Sequence, residues 1–360
     1  QTAHHATTGD VPVNASPGER GVITPWTPEN TPIDPESRDP DQEFYTPQWG
    51  LVTPFAIPRA DAYRPVPPQP FFVSGVQAEL DIATATITRD GRTLPVSRDL
   101  VGPVINPAFI AQAEEVARWS AELTDRQKMM AEFWEDATDT AFPPGTWMVF
   151  AQFVSARDNH TMDDDAKLFF TLANAMLDAS IATWEAKVHY DYVRPVRAIR
   201  SLGRLGLLGT PGTDAVTGER GQIVASWAGP GRGTQPILAR RWLSYQTPDL
   251  DPSPPFAEYP SGHSSFSAAG AEVLRRLTGD DRFGAAVTFA PGSSRFEPGV
   301  TPKTPITLAW PTFSAAADEA GASRRYGGIH FTEGDLVGRE MGRKIGARVV
   351  EASMRLFTGG

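Results

Sequence analysis

The chain has 360 residues, a mass of 39.0 kDa and a net charge of -10. That length suits one large domain or two ordinary ones, and with 40% hydrophobic and 21% charged residues it excludes disorder of the whole chain. No apolar run reaches the length of a membrane-spanning helix, the acidic balance argues against general nucleic-acid binding, and the lack of cysteine excludes disulfides, Cys-ligated zinc, iron–sulfur clusters and thiol catalysis.

In chain order, the first feature is proline: 14 of the 33 prolines fall in the first 70 positions, as in Thr24-Pro25-Trp26-Thr27-Pro28 and Pro65-Val66-Pro67-Pro68. Such a stretch forms neither helix nor central strand. It nevertheless carries Trp26, Phe44, Tyr45, Trp49 and Phe55, which a free tail would not need. Residues 1–75 are therefore expected to form an extended arm packed on a main domain of residues 76–360, or around a second subunit. The first 20 residues are expected to be loose. The chain begins at Gln1, which is compatible with a removed signal peptide and a secreted or periplasmic location, and equally with a trimmed terminus.

Helical signals begin near Asn106. Thr124-Asp125-Arg126-Gln127 has the spacing of a capping box ahead of Met130, Phe133 and Trp134. Residues 166–190 form the strongest segment, with apolar positions at helical spacing and no Gly or Pro. Further helices are expected at 262–277, 314–325 and 333–356. Gly- and Pro-rich loops separate them, for example 203–235 and 250–260. Alternating strand patterns are few, so the fold class is all-α, a helical bundle.

Three segments carry chemistry. In the first, Lys187 and Arg194 are seven residues apart, about two helical turns, and read as one helix they share a face and can clamp an oxyanion; a solvated basic face is the plainer alternative. The second is Phe256-Ala257-Glu258-Tyr259-Pro260-Ser261-Gly262-His263-Ser264, where helical periodicity starts after Gly262. A helix N-terminus offers free N–H groups and a positive dipole end to an anion. Gly262 permits close approach, Ser261 supplies a hydroxyl, and His263 can transfer protons near neutral pH; an ordinary capped helix start is the alternative. The third, Ser323-Arg324-Arg325-Tyr326-Gly327-Gly328-Ile329-His330, adds another Arg and another His before a helix.

Taken together, the ordered series Lys-x6-Arg-Pro, Pro-Ser-Gly-His and Ser-Arg-x5-His resembles the signature of the type 2 phosphatidic acid phosphatase superfamily, which includes vanadium-dependent haloperoxidases and bacterial acid phosphatases. Phe133-Trp134 and Ala198-Ile199-Arg200 are similar to the soluble bacterial haloperoxidase branch. The resemblance implies the helical bundle of that family. It also implies a pocket for vanadate, or for phosphate or sulfate in its place. Lys187, Arg194 and Arg324 would neutralise the oxyanion, and Ser261 Oγ and the Gly262 N–H would complete the cradle. His330 would bond to vanadium or attack phosphorus, and His263 would act as general acid/base.

Trp184, Phe256 and Ser264 correspond to positions around the halide site of chloroperoxidase-like members; core packing is the alternative for the two aromatics. The implied reaction is oxidation of halide by hydrogen peroxide to hypohalous acid, the partners being hydrogen peroxide and halide or a small organic substrate. The alternatives are an acid phosphatase and an impaired oxyanion-binding protein. The impaired reading comes from one departure. Four residues after the metal-binding His the family commonly has an Asp that orients the ring, whereas this chain has Gly334, followed by Asp335. Asp335 is expected either to take over that task or to close a capping box with Thr332. The resemblance and the aromatic-rich arm are also compatible with a homodimer.

Overall fold

The computed structural model describes residues 23–26, 44–136, 140–246 and 253–359. The first 20 residues and the proline-rich stretch 27–43 lie outside the described residues. The central element is α4 (Met162–Tyr190), longer at its start than the periodicity predicts, because Thr161 and Asp164 close a capping box there. Around it stand α3 (Phe142–Asp158), α6 (Gly262–Thr278), α7 (Phe313–Tyr326) and α8 (Thr332–Thr358). Ala, Leu, Met and aromatic side chains of these helices form one core, sealed by Phe283 and Trp310 of a two-stranded sheet. A second core lies under α1 (Pro107–Ala121) and α5 (Pro195–Arg204). The capping box expected at Thr124 is present at the start of α2 (Asp125–Phe133).

The packing of α6 against α8 decides where the site forms. Gly338, Gly342 and Gly346 repeat every four residues along one face of α8. A Cβ on Gly338 would lie 2.8 Å from the Ser261 carbonyl oxygen, one on Gly346 2.6 Å from that of Ala269, and one on Gly342 would run into that of Ser265. The missing side chains let the two backbones approach. The Ser261 N–H then donates to the Gly334 carbonyl (2.9 Å), locking the N-terminus of α6 onto the first turn of α8.

Strands occupy the margins. Residues 203–235, expected as loop, instead carry β4 (Thr210–Thr213), β5 (Arg220–Trp227) and the start of β6 (Thr234–Leu238), paired in the order β4-β5-β6. β1 (Glu79–Asp81), β2 (Thr86–Arg89) and β3 (Arg92–Pro95) make a second antiparallel meander, and β7 (Arg282–Phe289) pairs with β8 (Ile306–Thr312). Their strands are short and rich in Gly, Thr and Pro, so alternation is weak in the sequence.

The described parts of the arm lie on α4 and beside the α4–α5 junction. The buried Asp178 carboxylate accepts the backbone N–H groups of Phe55, Ala56 and Ile57 at 2.6, 2.8 and 3.0 Å. Pro25 bridges Tyr192, the Trp26 N–H donates to the Asp191 carbonyl (2.7 Å), and Trp26 packs with Phe44 and Ala257.

Candidate active site

The last two turns of α4 carry Trp184 and Lys187, and the helix then stops at Asp191, whose φ of 44° is left-handed. Arg194 caps the next helix, with Pro195 as its first residue, where the missing N–H costs nothing. Lys187 and Arg194 are thus not two turns apart on one helix, as the spacing suggests; the break at Asp191 puts them on two. They converge on the segment before α6. Lys187 Nζ donates to the carbonyls of Ala257 (2.7 Å) and Glu258 (2.9 Å), and Arg194 Nε donates to that of Phe256 (2.9 Å). Both cations sit 5.1 Å from the centre of the Phe256 ring, which also packs on Trp184 at 5.0 Å.

Ser261 is the N-cap of α6, its Oγ accepting the Ser264 N–H at 3.4 Å. The N–H groups of Gly262 and His263 lie in the first turn, beyond the reach of any carbonyl of their own helix. A Cβ on Gly262 would meet only ordinary contacts, with Phe266, Thr183 and Trp184 at 3.6–3.9 Å. The protein itself therefore does not require glycine there; the absent side chain leaves the N–H open to an approaching anion. His263 Nε2 donates to the Glu135 carbonyl (3.1 Å) and stands 3.9 Å from Asp136 Oδ2.

Arg324, in the last turn of α7, is fully buried and donates to Ser323 Oγ (3.1 Å), Gln246 Oε1 (2.5 Å) and the Ala131 carbonyl (2.7 Å). The chain then turns at Gly328, with φ of 78°, where a Cβ would press on Trp242 at 2.8 Å. That turn brings His330 into the pocket. Its Nε2 accepts from Arg194 NH1 (3.1 Å), and its Nδ1 donates to Glu258 Oε1 (2.6 Å). The same carboxylate oxygen accepts the Phe331 N–H at 3.1 Å.

Three expectations are corrected. The carboxylate on His330 is Glu258, not Asp335. Asp335 is fully buried and faces the other way: it pairs with Arg339 (2.6 and 2.7 Å) and Arg325 (3.1 Å), and accepts the Ser264 hydroxyl at 2.8 Å. The Ser264 hydroxyl, read as part of a halide pocket, is instead taken up by this bond to α8. No capping box forms at Thr332, because the helix is capped from Phe331 and the Thr332 hydroxyl donates to Glu115 (2.6 Å). Sequence reading missed Glu258 and Asp136. Glu258 lies inside the second motif segment, but its role appears only with the space above Gly334.

The electrostatics are those of a cation-rich, buried site. Burial, reinforced by the neighbouring Arg194, holds Lys187 well below its ordinary value. Burial lowers Arg194 to about 9 and Arg324 to about 10. Both imidazoles are driven well down, first by burial, then by Arg324 at His263 and by Arg194 and Lys187 at His330. Burial pushes Glu258 up to about 7, against the pull of Lys187 and Arg194, and raises Asp136. Arg194 NH2 is buried without a partner. Among the described residues no group of His, Cys, Asp and Glu could hold a metal cation. An oxyanion is what this donor set fits: buried guanidinium, ammonium, hydroxyl and N–H groups around one imidazole.

Fold and site define a class, the helical bundle with a buried, cation-rich site beside a helix N-terminus. Within that class, residues 167–359, more than half of the chain, match the family model of the VCPO second helical-bundle domain, and the chain belongs to this family, within the vanadium-dependent haloperoxidase superfamily. Among solved structures, the fold is similar to a holo-type bacterial vanadium-dependent chloroperoxidase (TM-score 0.71, 23% identity, 97% of this chain and 65% of that one). It is also similar to the apo-type bacterial chloroperoxidase (0.72, 22%, 97% and 66%) and to the first bacterial vanadium-dependent iodoperoxidase (0.61, 22%, 97% and 63%). The chain therefore spans about two thirds of the length of these relatives. No curated protein matches it. No helix among the described residues is long and apolar enough to cross a membrane.

Proposed function

We propose that the chain is a vanadate-dependent haloperoxidase, oxidising halide with hydrogen peroxide to hypohalous acid. The observation that carries this reading is the convergence of Lys187, Arg194, Arg324 and the α6 N-terminus around His330, whose Nδ1–H is held by Glu258. When bound, vanadate supplies a Lewis acid that activates peroxide toward halide. Lys187, Arg194 and Arg324 balance the anion's charge, and the partnerless NH2 of Arg194 becomes satisfied. Ser261 Oγ and the Gly262 N–H would bind its oxygens, and His330 would present Nε2 as the bonding atom in place of its contact with Arg194 NH1. His263, kept neutral by burial and by Arg324, takes and returns protons at the ring nitrogen not engaged by the Glu135 carbonyl. The Trp184–Phe256 pair excludes water from one wall and offers positive ring edges to a halide. The Glu258 carboxylate on His330 removes the reason for an impaired-site reading.

The test is a paired assay on unloaded and vanadate-loaded protein. Halogenation of a reporter with chloride, bromide or iodide that requires vanadate is the expected result. Phosphate release from p-nitrophenyl phosphate by unloaded protein, blocked by vanadate and without halogenation, would instead assign a phosphatase in which His330 is the nucleophile.

A further inference from the structure

We propose that Glu258 is the positioning residue of His330 and that Gly334 is its steric complement, so that the orienting carboxylate reaches the ring from the segment before α6 rather than from α8. The inference rests on the reading of His330 as the group that meets the oxyanion.

Two observations carry it independently. The first is the hydrogen bonding on the two sides of the ring. Glu258 Oε1 lies 2.6 Å from Nδ1 and is itself fixed by the Phe331 N–H, while Arg194 donates to Nε2 from the opposite side. Together these hold His330 as the Nδ1–H tautomer, with the Nε2 lone pair turned to the cations. The second is the space at position 334. A Cβ there would collide with Glu258 Oε1 and lie 2.8 Å from Oε2 and 2.9 Å from Cδ. Gly334 has an ordinary helical backbone, without positive φ, in the first turn of α8. No turn demands glycine, and glycine weakens a helix. What the position requires is the absence of a side chain, because the carboxylate of Glu258 fills that volume. A carboxylate at 334 and one at 258 exclude each other. Asp335, one residue on, is held by Arg339, Arg325 and Ser264 and does not compete.

The experiment compares the full chain with Glu258→Gln, Glu258→Ala, Gly334→Asp and the double variant Glu258→Ala/Gly334→Asp. In unloaded, 15N-histidine-labelled protein, long-range 1H–15N spectra report the His330 tautomer, assigned by its loss in His330→Gln. Calorimetry gives the affinities for orthovanadate and for phosphate. The wild type is expected to show Nδ1–H. Glu258→Ala is expected to lose that preference and to bind orthovanadate about 10–100-fold more weakly, with a much smaller change for phosphate, which forms no bond to Nε2. Glu258→Gln, which keeps the volume and the acceptor but not the charge, is expected to keep the tautomer and weaken orthovanadate about tenfold, with phosphate equal or tighter. Gly334→Asp alone is expected to lower stability, and the double variant to regain the tautomer and part of the orthovanadate affinity.

An unchanged tautomer in Glu258→Ala, parallel loss of both anions, or a double variant no better than Glu258→Ala would overturn the proposal. A wild type that binds phosphate but not orthovanadate would sink the haloperoxidase reading instead, and the tautomer measurement would still decide the role of Glu258.

Discussion

Replacing Asp335 by Asn separates two roles for this residue. Were it the carboxylate that orients His330, the change would damage anion binding and leave the fold intact. The structure assigns it to the fold. Asp335 is fully buried, bonded through both oxygens to Arg339, in an ion pair with Arg325, and an acceptor for Ser264. Removing one partner of a buried pair costs about 3–5 kcal/mol, because a charge is left without compensation. Arg339 keeps a bond to Asp318 (2.8 Å), and its side chain is 11% exposed, which places the expected loss at the lower end, about 3 kcal/mol. The assay is urea unfolding followed by tryptophan fluorescence, with Arg339→Met and the double variant completing a thermodynamic cycle. A coupling of about 2 kcal/mol or more is expected for residues in such direct contact. A stability loss under about 0.5 kcal/mol, together with weakened orthovanadate binding, would refute the argument and return Asp335 to His330.

Further outcomes are expected. His330→Ala should abolish retention of vanadate through gel filtration, and normal retention would remove His330 as its ligand. Phosphate should raise the melting temperature of the unloaded protein, by about 2.7 kcal/mol of added stability at a hundredfold excess over Kd. Lys187→Met should remove most of that rise. Because burial and Arg194 depress Lys187 in the unloaded pocket, the anion must draw a proton back onto it, so phosphate affinity should fall as pH rises above that depressed value; calorimetry in buffers of different ionisation enthalpy would show the uptake.

The lowered values of His263 and His330 give a stability contribution that is present above their unfolded pKa of about 6.5 and lost as pH falls below it. His263→Gln should therefore lose less stability than wild type between neutral and mildly acid pH, and equal acid sensitivity would contradict the buried, neutral imidazole. Finally, Gly270 meets the Trp147 ring, where a Cβ would lie 2.6–2.9 Å from three of its atoms. Gly270→Ala should cost about 1–3 kcal/mol through overpacking, measured by the same urea titration.

The aromatic wall shows how a residue can be found without its setting. Trp184 and Phe256 were candidates only through the family resemblance, and they do pack together beside Lys187 and Arg194. What the sequence does not contain is where the arm docks: Trp184 Nε1 donates to the Tyr45 carbonyl (3.0 Å), and Phe256 packs in one cluster with Trp26 and Phe44. The contacts with Tyr45, Trp26 and Phe44 join residues more than a hundred positions apart, and nothing local announces them.

The sequence by itself determined what depends on near neighbours along the chain. Periodicity and caps placed α4, α6, α7 and α8 to within a few residues. The three ordered motifs identified Lys187, Arg194, Ser261, Gly262, His263, Arg324 and His330, and the structure brings the helices that carry them to one pocket. The tertiary structure alone decided whether Lys187 and Arg194 share a helix, since one left-handed residue at Asp191 breaks it. It also revealed the strands hidden in 203–235, which are held by cross-strand pairing rather than by local pattern. Above all it decided which carboxylate serves His330. Spacing along α8 points to positions 334 and 335, but a hydrogen bond depends on where an oxygen stands in space. The glycines of α8 draw the α6 segment close enough for Glu258 to fill the volume above Gly334 and reach Nδ1, leaving Asp335 to hold Arg339 and Ser264.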